Sequence, residues 1–295
     1  MSKHKPLQEQ VIVVTGASSG IGLCTAIMAS ALGATVVLVA RSEDTLTQLA
    51  QEINASGGEA LCVAADVSER SEVNKVVDQA LARYGRIDTW VNDAGVSIYG
   101  RLDEVEEEDS RRLFDINFWG VVNGSLAALP HLRHSGGVLI NVGSEVSESM
   151  IPLQGMYTAS KHAVKGFTDA LRVETEDVDE SPVSITLIEP TAVDTPYPEH
   201  AKNYMSREPK LPDPMIDPQL VAEAILHAAQ EGGRNIRVGL MASLNISLSK
   251  LMPALAEKLS ARLVDKQQHV RPPQNPQGTL YKAGGSGHIH GTTRH

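Results

Sequence analysis

Seven short, almost wholly apolar runs separated by helix-length segments constrain this chain more than any other feature. The runs begin at Val11, Thr35, Ala60, Ile87, Gly137, Val183 and Asn235, and each holds five to seven residues. Little polar alternation interrupts them. Strands buried on both faces read this way, as in a parallel sheet, whereas half-solvated strands alternate. The segments between, for example 42–55 and 69–84, carry the apolar period of helices. Repeated strand–helix alternation predicts an α/β fold with a doubly wound parallel sheet of about seven strands, helices on both faces and right-handed crossovers. Ser68 with Glu72, and Asp217 before Pro218, read as helix starts; Gly57-Gly58 and Gly85 read as stops.

The pattern divides the chain in three. Residues 1–240 form one domain. Within it, 191–218 holds Pro196, Pro198, Pro209, Pro212 and Pro214 before Pro218, and reads as a long excursion with at most a short helix, a usual place for a substrate lid. Beyond Gly239, Leu244, Leu248, Leu251, Leu255 and Leu259 recur at helical steps. They predict an amphipathic helix over 243–265, so that 241–266 is a C-terminal helical extension. Residues 267–295, rich in Pro, Gly and His, read as an extended or disordered tail. Residues 241–295 carry seven Lys/Arg and two acids, so a basic end follows an acidic body. Two expectations for this end are weighed: docking on its own or a neighbouring subunit with the leucine stripe as anchor, or a loose appendage beyond Gln267.

Composition excludes several classes. At 42% apolar residues the 295-residue chain is no disordered polymer. A net charge of −10 with 4% aromatics argues against nucleic-acid binding. No run reaches the roughly 18–20 apolar residues of a transmembrane segment. The polar start MSKHKPLQEQ has no secretory core, which predicts a cytoplasmic protein. Cys24 and Cys62 read as small buried hydrophobes. No metal site is expected: the histidines are scattered, and His288 and His290 lie in the tail without a nearby carboxylate.

The first strand runs into TGASSGIG, residues 15–22. Glycines at 16, 20 and 22 let the backbone turn sharply and approach a pyrophosphate, and the following helix offers free N–H groups. A glycine cluster alone is weak evidence. Placed between a buried strand and a helix, it is a dinucleotide signal of the Rossmann type. The second strand ends in Ala40-Arg41, where a carboxylate would hold a ribose 2′-hydroxyl and a cation suits a 2′-phosphate. Arg41 therefore favours NADP(H), with NAD(H) as the alternative; the plain reading of Arg41 is an exposed helix-start residue.

Hydride exchange with a carbonyl needs an acid at its oxygen. Tyr157 and Lys161, four apart in YTASK, share one helix face, and an ammonium lowers a phenol pKa. Ser144 ends the fifth strand, where strand tips open into a crevice. Asn117, in the apolar stretch DINFWG, is a buried amide that demands partners. Taken singly these are a surface or core tyrosine, a turn serine and a core amide. Together, around one nucleotide-type sheet, they form a catalytic set.

Over about Leu7 to Gly239 the sequence resembles the short-chain dehydrogenase/reductases. The resemblance makes Gly16, Ser18, Ser19, Gly20 and Ile21 the cofactor loop, and Asp66 with Val67 the adenine contact. Asn92, Ala94 and Gly95 match the Asn-Asn-Ala-Gly element, with Asp93 in place of the second asparagine. Asn117, Ser144, Tyr157 and Lys161 match the catalytic tetrad, and Tyr157 and Lys161 also touch the cofactor. Pro190-Thr191 stands where the family has Pro-Gly. Val193 and Thr195 match the nicotinamide contacts. The resemblance implies Tyr157 as general acid or base, Lys161 on the nicotinamide ribose, Ser144 at the substrate oxygen and Asn117 holding a water.

The substrate expected is a small-molecule carbonyl or alcohol, in a crevice lined by Ile98, Tyr99, Met150, Ile151, Leu153, Met156, Tyr197, Tyr204 and Met205. Glu145 and Glu148 are expected as solvated loop charges near its mouth. The Ala- and Gly-rich stretches 117–129 and 159–171 predict, with the family, a homodimer or homotetramer. A non-catalytic nucleotide sensor would not need the four residues together. A nucleotide-sugar epimerase would prefer TGxxGxxG and a larger C-terminal domain.

Overall fold

The computed structural model describes residues 3–284 and 287–292. The strands are β1 (Val11–Thr15), β2 (Thr35–Ala40), β3 (Glu59–Ala64), β4 (Thr89–Asn92), β5 (Ile98–Tyr99), β6 (Val138–Val142), β7 (Ser184–Pro190), β8 (Lys202–Asn203) and β9 (Asn235–Val238). Seven of them form one sheet in the order β3-β2-β1-β4-β6-β7-β9. Every neighbouring pair in it is parallel. This is the predicted doubly wound Rossmann-type sheet. Short β5 and β8, which the sequence pattern did not signal, pair separately.

The helices are α1 (Gly20–Ala31), α2 (Glu43–Ala55), α3 (Arg70–Tyr84), α4 (Glu107–Phe114), α5 (Gly120–Ser135), α6 (Gly155–Arg172), α7 (Tyr197–His200), α8 (Pro218–Glu231), α9 (Leu240–Leu251) and α10 (Pro253–Ala261). Strand alternation sorts the core into two layers. Ile12, Val14, Val36 and Leu38 pack with residues of α1, α2 and α8. Val11, Val13, Val37 and Val39 pack with residues of α3 and α5. Each fully buried Val, Ile or Leu side chain is worth about 1.5–3 kcal/mol. Asp217 caps α8 by accepting from the Gln219 N–H over 2.8 Å, and Gly85 ends α3 in a left-handed conformation. Ser68 is not the cap of α3, which starts after Glu69; its hydroxyl is bonded to the Asp66 carboxylate instead.

Two expectations for the C-terminal end are corrected. The single helix over 243–265 is two helices, α9 and α10, separated at Met252, because Pro253 lacks the N–H needed to continue the first. The break turns the leucine stripe outward: Leu244, Leu251, Leu255 and Leu259 are exposed, and the inward residues are Ala242, Ile246, Ala256 and Ser260. The described part of the tail is not a loose appendage. It lies on the body of its own chain, with Gln267 and Leu280 fully buried. Its anchors are those two residues rather than the leucines.

Candidate active site

The sheet order reverses between β1 and β4, and a crevice opens beyond their C-terminal ends. Thr15 closes its floor: the hydroxyl accepts from the N–H groups of Asp93 (3.1 Å) and Ala94 (3.2 Å). The turn after β1 carries Gly16 at φ +76°. Gly22, one turn into α1, faces the Gly16 carbonyl and the Asp93 carboxylate so closely that a Cβ would lie 2.5 Å and 2.8 Å from their oxygens. Only glycine permits that approach, which brings the first turn of α1 onto the crevice floor.

One continuous cleft follows. Gly16, Ser18, Ser19, Gly20, Ile21, Arg41, Asp66, Val67, Ala94, Gly95, Ser144, Tyr157, Lys161, Pro190, Val193 and Thr195 all line it. The structure thus brings together nearly the whole set expected from the sequence. Gln154, Leu211, Pro212 and Tyr197 line it as well. The glycine cradle at one end and the Tyr157 group at the other fit an extended dinucleotide.

Asn92 is the exception, and it corrects the expectation of a cofactor contact. Its amide Oδ1 accepts from Trp90 Nε1 at 2.8 Å. Its Nδ2 faces Asn141 Oδ1 (2.9 Å) and Ser125 Oγ (3.1 Å). The side chain is spent inside the sheet, on the same face as Trp90 two residues earlier. Asn117 is likewise buried behind the cleft wall, in a π-helical turn (Asp115–Trp119) between α4 and α5. Its Oδ1 accepts from Val96 N (2.8 Å), and its Nδ2 donates to Val96 O (2.9 Å) and faces Ser160 Oγ (3.1 Å).

Tyr157 lies in the first turn of α6 with Lys161 one turn later. Burial pushes the Tyr157 phenol up to about 12, while hydrogen bonds with Ser144 and Tyr197 pull the other way. The expected lowering by Lys161 is not what sets this shift: desolvation leads, the hydrogen bonds with Ser144 and Tyr197 oppose it, and the Asp93 and Glu145 charges add to it. The Tyr157 and Tyr197 rings meet edge to face, centroids 5.4 Å apart. Tyr197 Oη donates to Gln154 Oε1 (2.9 Å), and Gln154 Nε2 donates to Gln267 Oε1 (2.8 Å) in the tail. Lys161 Nζ donates to Val142 O at 2.8 Å. Burial lowers the Lys161 pKa and raises that of Asp93, and each charge opposes the other's shift. The substitution at position 93 therefore puts a carboxylate opposite the lysine. Ser144 also caps the short turn 145–147, its Oγ accepting from Val146 N at 3.3 Å.

Glu145 and Glu148 are not solvated loop charges. Glu145 lines the cleft and accepts from Thr191 Oγ1 (3.1 Å) and Asn245 Nδ2 (2.9 Å), and burial raises its pKa. Thr191, where the family has glycine, thus ties β7 to the segment after Ser144. Glu148 pairs with Arg237 and Lys250 away from the cleft. Of the expected substrate lining, Ile151 and Tyr197 reach the cleft. Tyr99 is core, Met150 faces outward, and the Tyr204 hydroxyl is bonded to Asp109.

At the adenosine end, Arg41 donates from Nη1 to Leu280 O (3.2 Å) and from Nη2 to Thr279 O. Arg112, which the motif reading missed, ion-pairs with Asp66 and donates to Ser68 Oγ at 2.7 Å. Burial pushes the Asp66 carboxyl up, but hydrogen bonds from Arg112 and Ser68 outweigh it and hold the acid below its ordinary range. Among the described residues no cluster of three or more His, Cys, Asp or Glu has the arrangement of a metal site. Among the same residues no helix is long and apolar enough to cross a membrane.

Comparison with known proteins agrees with this geometry. Residues 10–204 match the family model of the short chain dehydrogenases. The uncharacterized oxidoreductase YxnA of Bacillus subtilis is 43% identical over 99% of this chain and 83% of its own. A short chain dehydrogenase/reductase from Burkholderia phymatum, solved with NAD, superposes with TM-score 0.77 at 25% identity over 85% of this chain and 96% of that one. An alcohol dehydrogenase from Thermococcus sibiricus, solved with 5-hydroxy-NADP, gives TM-score 0.68 at 28% identity over 78% and 95%. The seven-stranded parallel sheet and the sequence matches agree: this chain belongs to the short-chain dehydrogenase family of NAD(P)-dependent oxidoreductases.

Proposed function

We propose that this protein reduces a ketone or aldehyde to an alcohol, or runs the reverse reaction, with NADP(H) as preferred cofactor. The observation that carries the reading is the convergence of Ser144, Tyr157 and Lys161 on one end of a cleft whose other end is the glycine cradle. A bound nicotinamide exchanges the hydride with the substrate carbon. The chain's task is the proton and the placement. Tyr157, kept protonated at neutral pH by burial, gives its phenolic proton to the carbonyl oxygen. Ser144 steadies that oxygen by hydrogen bonding. Lys161, fixed on Val142 O, presents its ammonium to the nicotinamide ribose, and Asn117 holds the wall between Val96 and Ser160.

Arg41 supports NADP over NAD, since the tip of β2 offers a guanidinium and no carboxylate. The Thermococcus enzyme's NADP analogue is in keeping with this, and the Burkholderia enzyme's NAD keeps NAD(H) as the second reading. Val146, Ile151, Tyr197, Leu211 and Pro212 at the mouth support a moderately apolar carbonyl substrate. Trp119 and Leu126, exposed on successive turns beside and within α5, and Val173 after α6 support a homodimer or homotetramer. The cytoplasm is the expected location. The test is consumption of NADPH and NADH across aldehydes, ketones, steroids and sugar derivatives. Turnover with NADPH at the lower KM is expected. Turnover with neither cofactor, on any carbonyl, overturns the reading.

A further inference from the structure

The tail, for which the sequence leaves docking and a loose end both open, runs along the cleft, with Thr279, Ala283 and Gly284 among its lining residues. Its first fastening is at the adenosine end. Thr279 N donates to His200 O at 2.8 Å, and the carbonyls of Thr279 and Leu280 receive both terminal nitrogens of Arg41. Leu280 is fully buried in the apolar layer that includes Val67 and Ile116. Tyr281 Oη donates to Asp109 Oδ1 at 2.8 Å, with Lys202 5.6 Å from its ring centre. The second fastening is over the phosphate loop. Gly20 N donates to His288 O (3.0 Å), and Gly287 N donates to Ser18 O (3.2 Å). Beyond it, Ile289 packs on the layer of α1 and α8, and Thr292 N donates to Glu199 Oε1 at 2.6 Å.

These contacts join the two β-strand tips of the nucleotide half to α7 of the substrate excursion. The tail nevertheless leaves the cleft beneath it continuous. Thr279, Ala283 and Gly284 line the same space as Gly16, Ser144 and Tyr157. A segment that filled the site would divide that space; this one walls it.

We propose that the described tail residues 279–284 and 287–292 are a strap over the cofactor site, with Thr279, Ala283 and Gly284 in its wall, closed over a bound nicotinamide dinucleotide and opened for its release. The inference rests on the cofactor reading above. The strap is fastened mostly through its main-chain N–H and C=O groups, individually weak ties, with Leu280 and Ile289 as apolar pegs. Such a segment opens locally without unfolding the sheet. Release of the dinucleotide is then gated by the pegs, and cofactor and tail stabilise each other.

The test is hydrogen exchange of the full chain with and without NADPH, paired with NADPH release followed by its fluorescence. Bound NADPH is expected to slow exchange of the tail amides about tenfold, and Leu280→Ser is expected to speed release about tenfold. Dinucleotide binding with unchanged exchange in the tail overturns the strap alone. Binding with faster exchange there also overturns it, since a displaced plug behaves that way. If neither NADPH nor NADH binds the intact chain, the cofactor reading falls and the strap falls with it. The exchange measurement uses the unaltered protein, so it decides the matter even if Leu280→Ser folds poorly.

Discussion

Lys161 donates from Nζ to the carbonyl of Val142 over 2.8 Å, which fastens the ammonium of α6 to the end of β6 two residues before Ser144. Strand tip and helix therefore hold Ser144, Tyr157 and Lys161 as one rigid group. The remaining influence on the ammonium is the Asp93 carboxylate, which raises a pKa that burial lowers. Asp93→Asn removes the carboxylate that opposes this lowering and keeps an oxygen for the Gly22 N–H. Lys161 should then lose its proton at lower pH. The alkaline limb of the kcat/KM profile is expected to move down by about one pH unit. An alkaline limb that stays in place would show that the carboxylate does not act on the lysine.

Tyr157→Phe removes the hydroxyl and leaves the ring against Tyr197. Turnover should fall by at least about a thousandfold, in the range of a lost general acid. NADPH affinity should change by less than about threefold, because the glycine cradle is untouched. Steady-state rates and fluorescence titration on the same preparation check both halves.

Asn92→Ala separates a structural from a cofactor role. The change leaves Trp90 Nε1 without its partner and leaves Asn141 Oδ1 only the longer 3.5 Å bond from Ser125 Oγ. Each buried polar atom stranded this way costs about 1–3 kcal/mol. A clear drop in melting temperature is expected, with NADPH affinity of the folded protein nearly unchanged. Loss of affinity at full stability would put Asn92 back in the cofactor site.

Glu189, at the buried end of β7, has no hydrogen-bond partner among the described residues for either carboxylate oxygen. Arg237 Nε, on the paired strand β9, stands 3.8 Å away. Burial first, and Glu148 second, push the acid up to about 7. The folded chain thus holds this proton more tightly than the unfolded one, so the stability contribution is present below about pH 4.5 and is lost as pH rises through about 7. Glu189→Gln should leave stability near pH 5 almost unchanged and gain on the order of 2 kcal/mol at pH 8.5. Denaturant melts at the two pH values measure the difference, and an equal effect at both would refute the buried proton.

The sheet was legible because burial on both faces leaves mostly apolar runs: β1 shows it in VIVV, and β6 and β7 are buried throughout with only Asn141 and with Ser184, Thr186 and Glu189 interrupting them. The cleft was legible because close backbone approach demands glycine at 16 and 22 and because helix period sets Tyr157 beside Lys161. Asn92 misled because a motif match carries no information about which face of the strand a side chain takes. Arg112 was invisible for a related reason: it reaches Asp66 from a helix 46 positions away in sequence. The leucine period ran on past Pro253, and the proline weighed more. Where the tail docks was not legible, because many of its ties run through main-chain groups, which any residue supplies and no pattern advertises.

Arg41 serves two masters. Its terminal nitrogens are tied to carbonyls 238 and 239 positions further along the chain, whatever the guanidinium also offers a nucleotide. Residue 41 therefore cannot be exchanged as an isolated selectivity switch. A substitution chosen to retune cofactor choice also unfastens the chain's distant end. Engineering of this enzyme has to treat position 41 and residues 279–280 as a single inherited unit, to be swapped together or left alone.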